Sequence, residues 1–92
     1  MKSAKYKRVS PKTGTTTSLI KTGAGVLKGI IISSNTSGTI KLWDNTSAAT
    51  TVLVDTMTIA SGERYIPFFD ATFDTGLYGT FGGTSELTII FS

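Results

Sequence analysis

The sequence predicts a small antiparallel β-sandwich, jelly-roll-like, with about seven to eight strands and no helix. Threonine occurs 17 times and glycine 10 times among the 92 residues. Threonine is β-branched and suits a pleated surface, and glycine supplies the positive φ angles that tight turns require. Strand-like segments recur about every 8–12 residues, which is typical of sandwiches and barrels.

Seven segments carry this strand pattern, and glycine or polar turn residues separate them. The predicted strands are residues 15–21, 25–34, 39–44, 51–59, 63–69, 76–81 and 87–91. We expect turns at Gly38, at residues 44–47, at Ser61 and Gly62, and at Gly82 and Gly83. Pro67 predicts an edge strand or a bulge, because proline cannot donate a hydrogen bond to a neighbouring strand.

Alternation of side chains assigns the faces of several strands. The residues predicted to share one face are Leu87, Ile89 and Phe91 of the last segment, Ile40 and Leu42 of the third, and Ile66 and Phe68 of the fifth. The residues predicted to lie on the opposite face are Lys41, Trp43, Tyr65, Phe69 and Ile90. Because one sandwich core covers only one face of each sheet, the second apolar face predicts a neighbouring subunit. Charged residues make up only 16% of the chain, which also favours a protein packed against neighbours.

The basic charge is concentrated at the N-terminus. Residues 1–12 carry five basic residues and no acid, and the remainder has a net charge of −2. We therefore predict an extended basic arm over residues 1–14 and a single sandwich domain over residues 15–92. The residues expected to bind a partner are Lys2, Lys5, Tyr6, Lys7, Arg8 and Lys12. Their charge fits an acidic groove on a protein, and we do not expect direct nucleic-acid binding because Tyr6 is the one interleaved aromatic and the body is acidic.

Catalysis is not expected of this chain. It contains no histidine and no cysteine, which removes the commonest general base, thiol chemistry and the commonest metal ligands. Lys21, Lys28 and Lys41 fit solvated strand positions better than a serine–lysine catalytic pair. We interpret Asp44, and Asp70 with Asp74 four residues later, as turn residues rather than a glycosidase pair or a calcium site. Calcium requires more clustered oxygen ligands than these loops offer. We accordingly expect no enzyme activity, metal or cofactor.

The composition also bears on two further classes, membrane proteins and carbohydrate-binding proteins. No stretch approaches the roughly 18 apolar residues that span a bilayer, so no membrane association is expected. Trp43, Tyr6, Tyr65 and Tyr78 could line a sugar-binding face, although packing in the core and at interfaces is the preferred interpretation. A carbohydrate-binding module therefore remains an alternative.

Several segments resemble the small β-sandwich virion proteins of tailed bacteriophages, of the capsid cement or decoration type. The resembling stretches are residues 25–30 (GVLKGI), 38–46 (GTIKLWDNT), 58–62 (TIASG), 65–68 (YIPF), 73–78 (FDTGLY) and 87–91 (LTIIF). The resemblance implies a trimer that binds the major capsid protein, or another virion protein, between capsomers and stabilises the head. It also implies a location on the capsid surface after synthesis in the host cytoplasm. A tail, neck or head-fibre component is the alternative within the same resemblance.

Overall fold

The computed structural model describes residues 5–12, 14–59 and 64–92, and all the regular structure in these ranges is β-strand. The strands are β1 (Lys5–Val9), β2 (Thr15–Thr22), β3 (Gly25–Trp43), β4 (Val52–Thr58), β5 (Tyr65–Phe73) and β6 (Gly76–Phe91). All their pairings are antiparallel. The prediction of a small antiparallel β-sandwich, jelly-roll-like and without helices, is confirmed.

Two long strands organise the fold. β3 and β6 contain 19 and 16 residues and pair with each other from Leu27 opposite Phe91 to Trp43 opposite Tyr78. The register shifts between Ile32 and Ser34, and again between Asn35 and Ser37. Such bulges bend and twist a strand, so each long strand serves two sheets.

The predicted turns at Gly38 and at Gly82 and Gly83 are wrong, because these glycines lie inside the two long strands. Gly38 pairs with Gly83 in the ladder, and Gly82 pairs with Thr39. A Cβ on Gly82 would lie 2.6 Å from Thr39 Oγ1, and Gly83 has φ +78°, a conformation that favours glycine. Glycine marks a close approach and a bulge here, so four predicted segments merge into two bent strands.

Two four-stranded sheets result, which we call sheet I and sheet II. Sheet I contains β2, residues 76–82 of β6, residues 38–43 of β3, and β4. Sheet II contains β1, residues 87–91 of β6, residues 25–32 of β3, and β5. Pro67 lies in β5, which pairs with β3 alone among the described strands, so its predicted edge position is confirmed.

A single apolar core lies between the sheets. Sheet I contributes the buried residues Ile20, Ile40, Leu42, Leu77 and Phe81, and sheet II contributes Val9, Leu27, Ile30, Ile32, Phe73, Leu87, Ile89 and Phe91. The inward positions alternate with outward ones, as predicted for the segments around Ile40 and Leu87. Every sheet therefore presents one outer face to the surroundings, and these two outer faces are the candidate surfaces for function.

Candidate interaction surfaces

Part of the predicted basic arm is a strand of the sandwich. Residues 5–9 form β1, which pairs with the last residues of β6 from Lys5 opposite Phe91 to Val9 opposite Leu87. Val9 is 6% exposed, and the carbonyl oxygen of Pro11 accepts a hydrogen bond from the Ser85 amide at 3.1 Å. The structure thus differs from the division into a loose arm and a separate domain, because β1 completes sheet II.

The proposed partner-binding side chains lie along this edge strand. Lys5, Tyr6, Lys7 and Arg8 are exposed in β1, and Lys12 is exposed beyond it, whereas Lys2 lies outside the described residues. Arg8 Nη2 lies 3.5 Å from Glu86 Oε2, and Ser10 Oγ donates to the same carboxylate oxygen at 2.5 Å. Lysines on an edge strand discourage pairing with another sheet, and they also attract acidic partners.

The outer face of sheet II carries an apolar patch. Its most exposed members are Tyr6 at 70%, Tyr65 at 50% and Ile31 at 42%. Tyr6 lies opposite Ile90, and Ile31 lies opposite Tyr65, so the patch crosses all four strands. We call Tyr6, Ile31, Tyr65 and Ile90 the tyrosine patch.

Glycine lets one tyrosine lie flat on the sheet. A Cβ on Gly29 would lie 2.6–2.8 Å from Oη, Cε1 and Cζ of Tyr65. The ring therefore rests on the backbone of β3 instead of standing into solvent. Ion pairs border the patch, with Arg8 and Glu86 on one side and Lys28 Nζ at 3.0 Å from Asp70 Oδ1 on the other. An apolar centre with a polar rim and abundant tyrosine is typical of protein interfaces.

The outer face of sheet I carries a different apolar feature, a row across the sheet. Leu19 lies opposite Tyr78, Tyr78 opposite Trp43, and Trp43 opposite Val52. Leu19 and Val52, at the two ends, are 43% and 41% exposed. We call these four residues the tryptophan row. They come from four strands, and only the register of the sheet brings them together.

Trp43 is partly covered within the row. Lys41 Nζ lies 4.5 Å from the centre of the indole ring, which is a cation–π distance, and 3.7 Å from Asp55 Oδ1. The indole Nε1 is buried without a hydrogen-bond partner among the described residues. The sugar-platform alternative does not fit this arrangement, because Lys41 covers a face of Trp43.

The tyrosines named in that alternative are also divided between the two sheets. Tyr78 lies beside Trp43 on the outer face of sheet I, and Tyr6 and Tyr65 lie on the outer face of sheet II. Side chains on opposite sides of a sandwich cannot line one binding face. Trp43, Tyr6, Tyr65 and Tyr78 therefore do not form a shared stacking platform.

Threonines occupy the rest of the outer face of sheet I. They line a shallow depression of about 170 Å³ together with Lys41, Phe81 and Gly82; the threonines are Thr15, Thr39, Thr56 and Thr80. Threonine hydroxyls on a sheet are hydrated when exposed and add hydrogen-bonding capacity without charge. This half of the face is polar but uncharged apart from Lys41 and Asp55.

Asp44 joins two turns at one end of sheet I. Its carboxylate accepts hydrogen bonds from the amides of Asp74, Thr75 and Gly76, with distances of 3.0, 2.8 and 3.4 Å to Oδ1. These backbone donors, the Asp74 amide first, hold the pKa of Asp44 below its ordinary value of 3.8. Asp44 therefore acts as a structural clamp between the β3–β4 loop and the β5–β6 turn.

The other candidate catalytic side chains have structural partners. Asp70, at φ +60°, pairs with Lys28, whereas Lys41 pairs with Asp55 and Lys21 Nζ donates to the carbonyl oxygen of Ala24 at 2.7 Å. Within residues 5–12, 14–59 and 64–92, no three Asp or Glu side chains are grouped as a metal site would require. The same ranges contain no helix that could span a membrane.

Comparison with known proteins identifies the fold. No family model matches the sequence, and no curated protein matches it. The solved structure of Drosophila NLP-core is similar over 99% of this chain and 97% of that chain, with a TM-score of 0.59 and 15% sequence identity. That structure was described for the insight it gives into pentamer formation and histone binding. At this identity the similarity shows the shared fold.

The similarity corrects the bacteriophage interpretation of the sequence. A solved structure that shares this fold is an insect protein core described for pentamer formation, and neither a family model nor a curated protein supports a phage family. This finding overturns the expected virion family and the expected roles in the capsid, tail, neck or head fibre. It also overturns the expected location on the capsid surface, the capsid-protein partner and the trimer. The resembling segments encode strands and turns, which unrelated β-sandwiches share.

Proposed function

We propose that this chain is a non-enzymatic assembly module that works as a homo-oligomer, with five subunits as the expected number. The observation that carries the proposal is the exposure of large apolar side chains on both outer faces of the sandwich. The tyrosine patch and the tryptophan row hold all five of the large apolar residues that are exposed in the described structure, namely Tyr6, Leu19, Ile31, Val52 and Tyr65. Apolar surface arranged in this way marks sites of protein association.

Chain length and charge support association. A 92-residue chain buries only about two-thirds of its unfolded surface, and association adds burial that a small core lacks. Only 16% of the residues are charged, fewer than the roughly 25% of an average domain. The similar solved structure belongs to a protein that forms pentamers, which gives the expected subunit number.

The residue types in the sequence favour a binding role over an enzymatic one. The sequence has no histidine or cysteine. The carboxylates of Asp44 and Asp70 hold a turn and an ion pair, respectively. We therefore assign the chain to a structural and binding class.

Strand β1 is the proposed contact with a further partner. Lys5, Lys7 and Arg8 form a basic edge on the sandwich, and Lys12 continues it. Acidic protein surfaces are the complementary partner, because charge complementarity speeds encounter and excludes basic competitors. An acidic peptide such as polyglutamate should bind with an affinity that falls as salt rises, and K5E/K7E should weaken it at least tenfold.

Histone binding is a second candidate, favoured by the similarity to the histone-binding Drosophila core. The net charge of +3 works against it, since histones are basic. We therefore expect the oligomer to bind polyglutamate more tightly than a core histone dimer at about 0.15 M salt, where surface charges are partly screened. Tighter binding of the histone dimer would make histone binding the preferred candidate over binding of acidic protein surfaces.

Sedimentation velocity over a hundredfold range of protein concentration tests the main proposal. The monomer mass is 9.7 kDa. We expect a sedimenting species of several subunits that dissociates on dilution. A single species of 9.7 kDa at every concentration would contradict the proposal.

A further inference from the structure

We infer that copies of this chain associate head to tail, with the tryptophan row of one subunit facing the tyrosine patch of the next. This inference rests on the proposed function, since it specifies the contact within the homo-oligomer. The occupant of each apolar face is therefore a second copy of the chain. Three arguments favour this contact: the position of the two faces, the expected number of subunits and the chemistry of the contact.

The two apolar surfaces lie on opposite sides of one sandwich. The tryptophan row is on the outside of sheet I, and the tyrosine patch is on the outside of sheet II. A contact between two copies of the same face consumes that face and stops at a dimer, leaving the other face exposed. A contact between the two different faces covers both kinds of surface in every subunit of a closed ring.

The charges on the two outer faces are paired. Lys41 pairs with Asp55 on the outer face of sheet I, and the pairs Arg8–Glu86 and Lys28–Asp70 border the patch on sheet II. Lys5 and Lys7 lie opposite Phe91 and Ile89, so they belong to the inward side of β1 at the edge of the sandwich. Charge repulsion therefore opposes neither face as a contact surface.

The expected number of subunits favours the mixed contact. In a ring of five, as the proposed function expects, one contact repeats around the ring and joins two different surfaces of each subunit. The tryptophan row and the tyrosine patch are the two apolar surfaces that the described residues offer for such a contact.

The two faces also differ in contact chemistry. The tyrosine patch supplies two flat rings and the aliphatic side chains of Ile31 and Ile90, with ion pairs along its border. The tryptophan row supplies Leu19 and Val52 at its ends and aromatic rings at its centre. Aromatic and aliphatic side chains with a polar rim make a favourable interface when water is excluded from the centre.

Paired variants of the two faces test the inference. L19K/V52K places charge on the tryptophan row, and Y6K/I31K places charge on the tyrosine patch; all four positions are exposed, so the fold should persist. A48K/T84K adds the same charge at exposed positions in the β3–β4 loop and the bend of β6 and serves as the matched control. Circular dichroism verifies that every variant is folded.

The decisive measurement is the mass of each variant alone and of an equimolar mixture, by sedimentation velocity. Each face variant alone should be monomeric, and the control should match the wild type. The mixture should form a dimer with one copy of each variant, because each contributes the face that the other has lost. The dimer cannot extend, since the remaining faces both carry lysine.

Other outcomes separate this inference from the proposed function. A monomeric wild type would contradict the proposed function itself. If the wild type is oligomeric and the face variants stay oligomeric, the head-to-tail contact is wrong and the assembly role stands. The same conclusion follows if one face variant alone forms dimers and the mixture forms no mixed dimer.

Discussion

The two outer faces of the sandwich differ in how they present apolar surface. Sheet I confines it to one row near an acidic end, and threonines fill the remainder. Sheet II spreads it over a patch that includes Tyr65 resting on Gly29, with a basic strand at the edge. The difference shows that one small β-sandwich can carry two unlike contact surfaces, because alternation along each strand leaves its outward residues free to vary.

The largest stability effect is expected for Gly79→Ala, on the inner side of sheet I. A Cβ there would lie 2.6 Å from Cε2 of Phe81, against its Cζ as well, and 3.3 Å from Leu42 Cδ2. Phe81 is 1% exposed and cannot move into solvent. We expect a loss of about 1–3 kcal/mol in the free energy of unfolding, measured by urea denaturation. An unchanged midpoint would contradict the packing described for sheet I.

The second effect concerns the Asp44 clamp at the end of sheet I. Asp44→Asn weakens the charge-assisted bonds to the amides of residues 74–76, and we expect a loss of about 1 kcal/mol at pH 7. Since the folded pKa of Asp44 is lowered, its contribution is fully present well above pH 3.8 and is lost as the pH falls below that value. Urea denaturation at pH 7, 5 and 3 should show the difference between the variant and the wild type shrinking at pH 3. A constant difference would show that the carboxylate does not act through its charge.

Gly29→Ala is the matched substitution on the outside of sheet II, and its effect on stability should be smaller. The new Cβ would meet the ring of Tyr65, which is 50% exposed and can swing into solvent. We expect a loss of less than about 1 kcal/mol by urea denaturation. Self-association should weaken more than stability, because the displaced ring no longer lies flat in the tyrosine patch. A loss equal to that of Gly79→Ala would show that the two faces are equally rigid.

The smallest effect is expected from Glu86→Gln at the border of sheet II. It removes the ion pair with Arg8, whose side chain is 60% exposed, and weakens the bond from Ser10. Exposed ion pairs contribute about 0–1 kcal/mol and are screened by salt. The change in the denaturation midpoint should be small at low salt and absent at about 1 M NaCl, where the screening length is short. A large, salt-independent loss would mean that Glu86 holds β1 in place by its shape rather than by its charge.

The alternation of apolar and polar residues predicted the core well, whereas the positions of glycine predicted the turns less well. Ile40, Leu42, Leu87, Ile89 and Phe91 are buried as their spacing required. Gly38 and Gly83 are of the residue type that is typical of hairpin turns, but they lie opposite each other in the continuous pairing of β3 with β6. Glycine relieves steric conflict in turns, bulges and close strand approaches alike, so the residue alone does not distinguish them.

The functional surfaces were harder to predict than the core. Strand β1 was missed because only Val9 among its five residues is buried, so no alternation of apolar side chains marks it. The tryptophan row joins Leu19, Trp43, Val52 and Tyr78, which are far apart in sequence. Their proximity follows from strand order and register, which composition and periodicity do not specify.

Trp43 provides the most direct test of the account, because it is the single tryptophan and lies at the centre of the row on sheet I. Acrylamide quenching of its fluorescence should be compared at concentrations where the chain is assembled and where it is dissociated. If the next subunit covers the row, quenching should be several-fold weaker in the assembled state, and Y6K/I31K should be quenched at high concentration like the dissociated wild type. Equal quenching of the assembled and dissociated states would contradict the claim that this face lies within the contact between subunits.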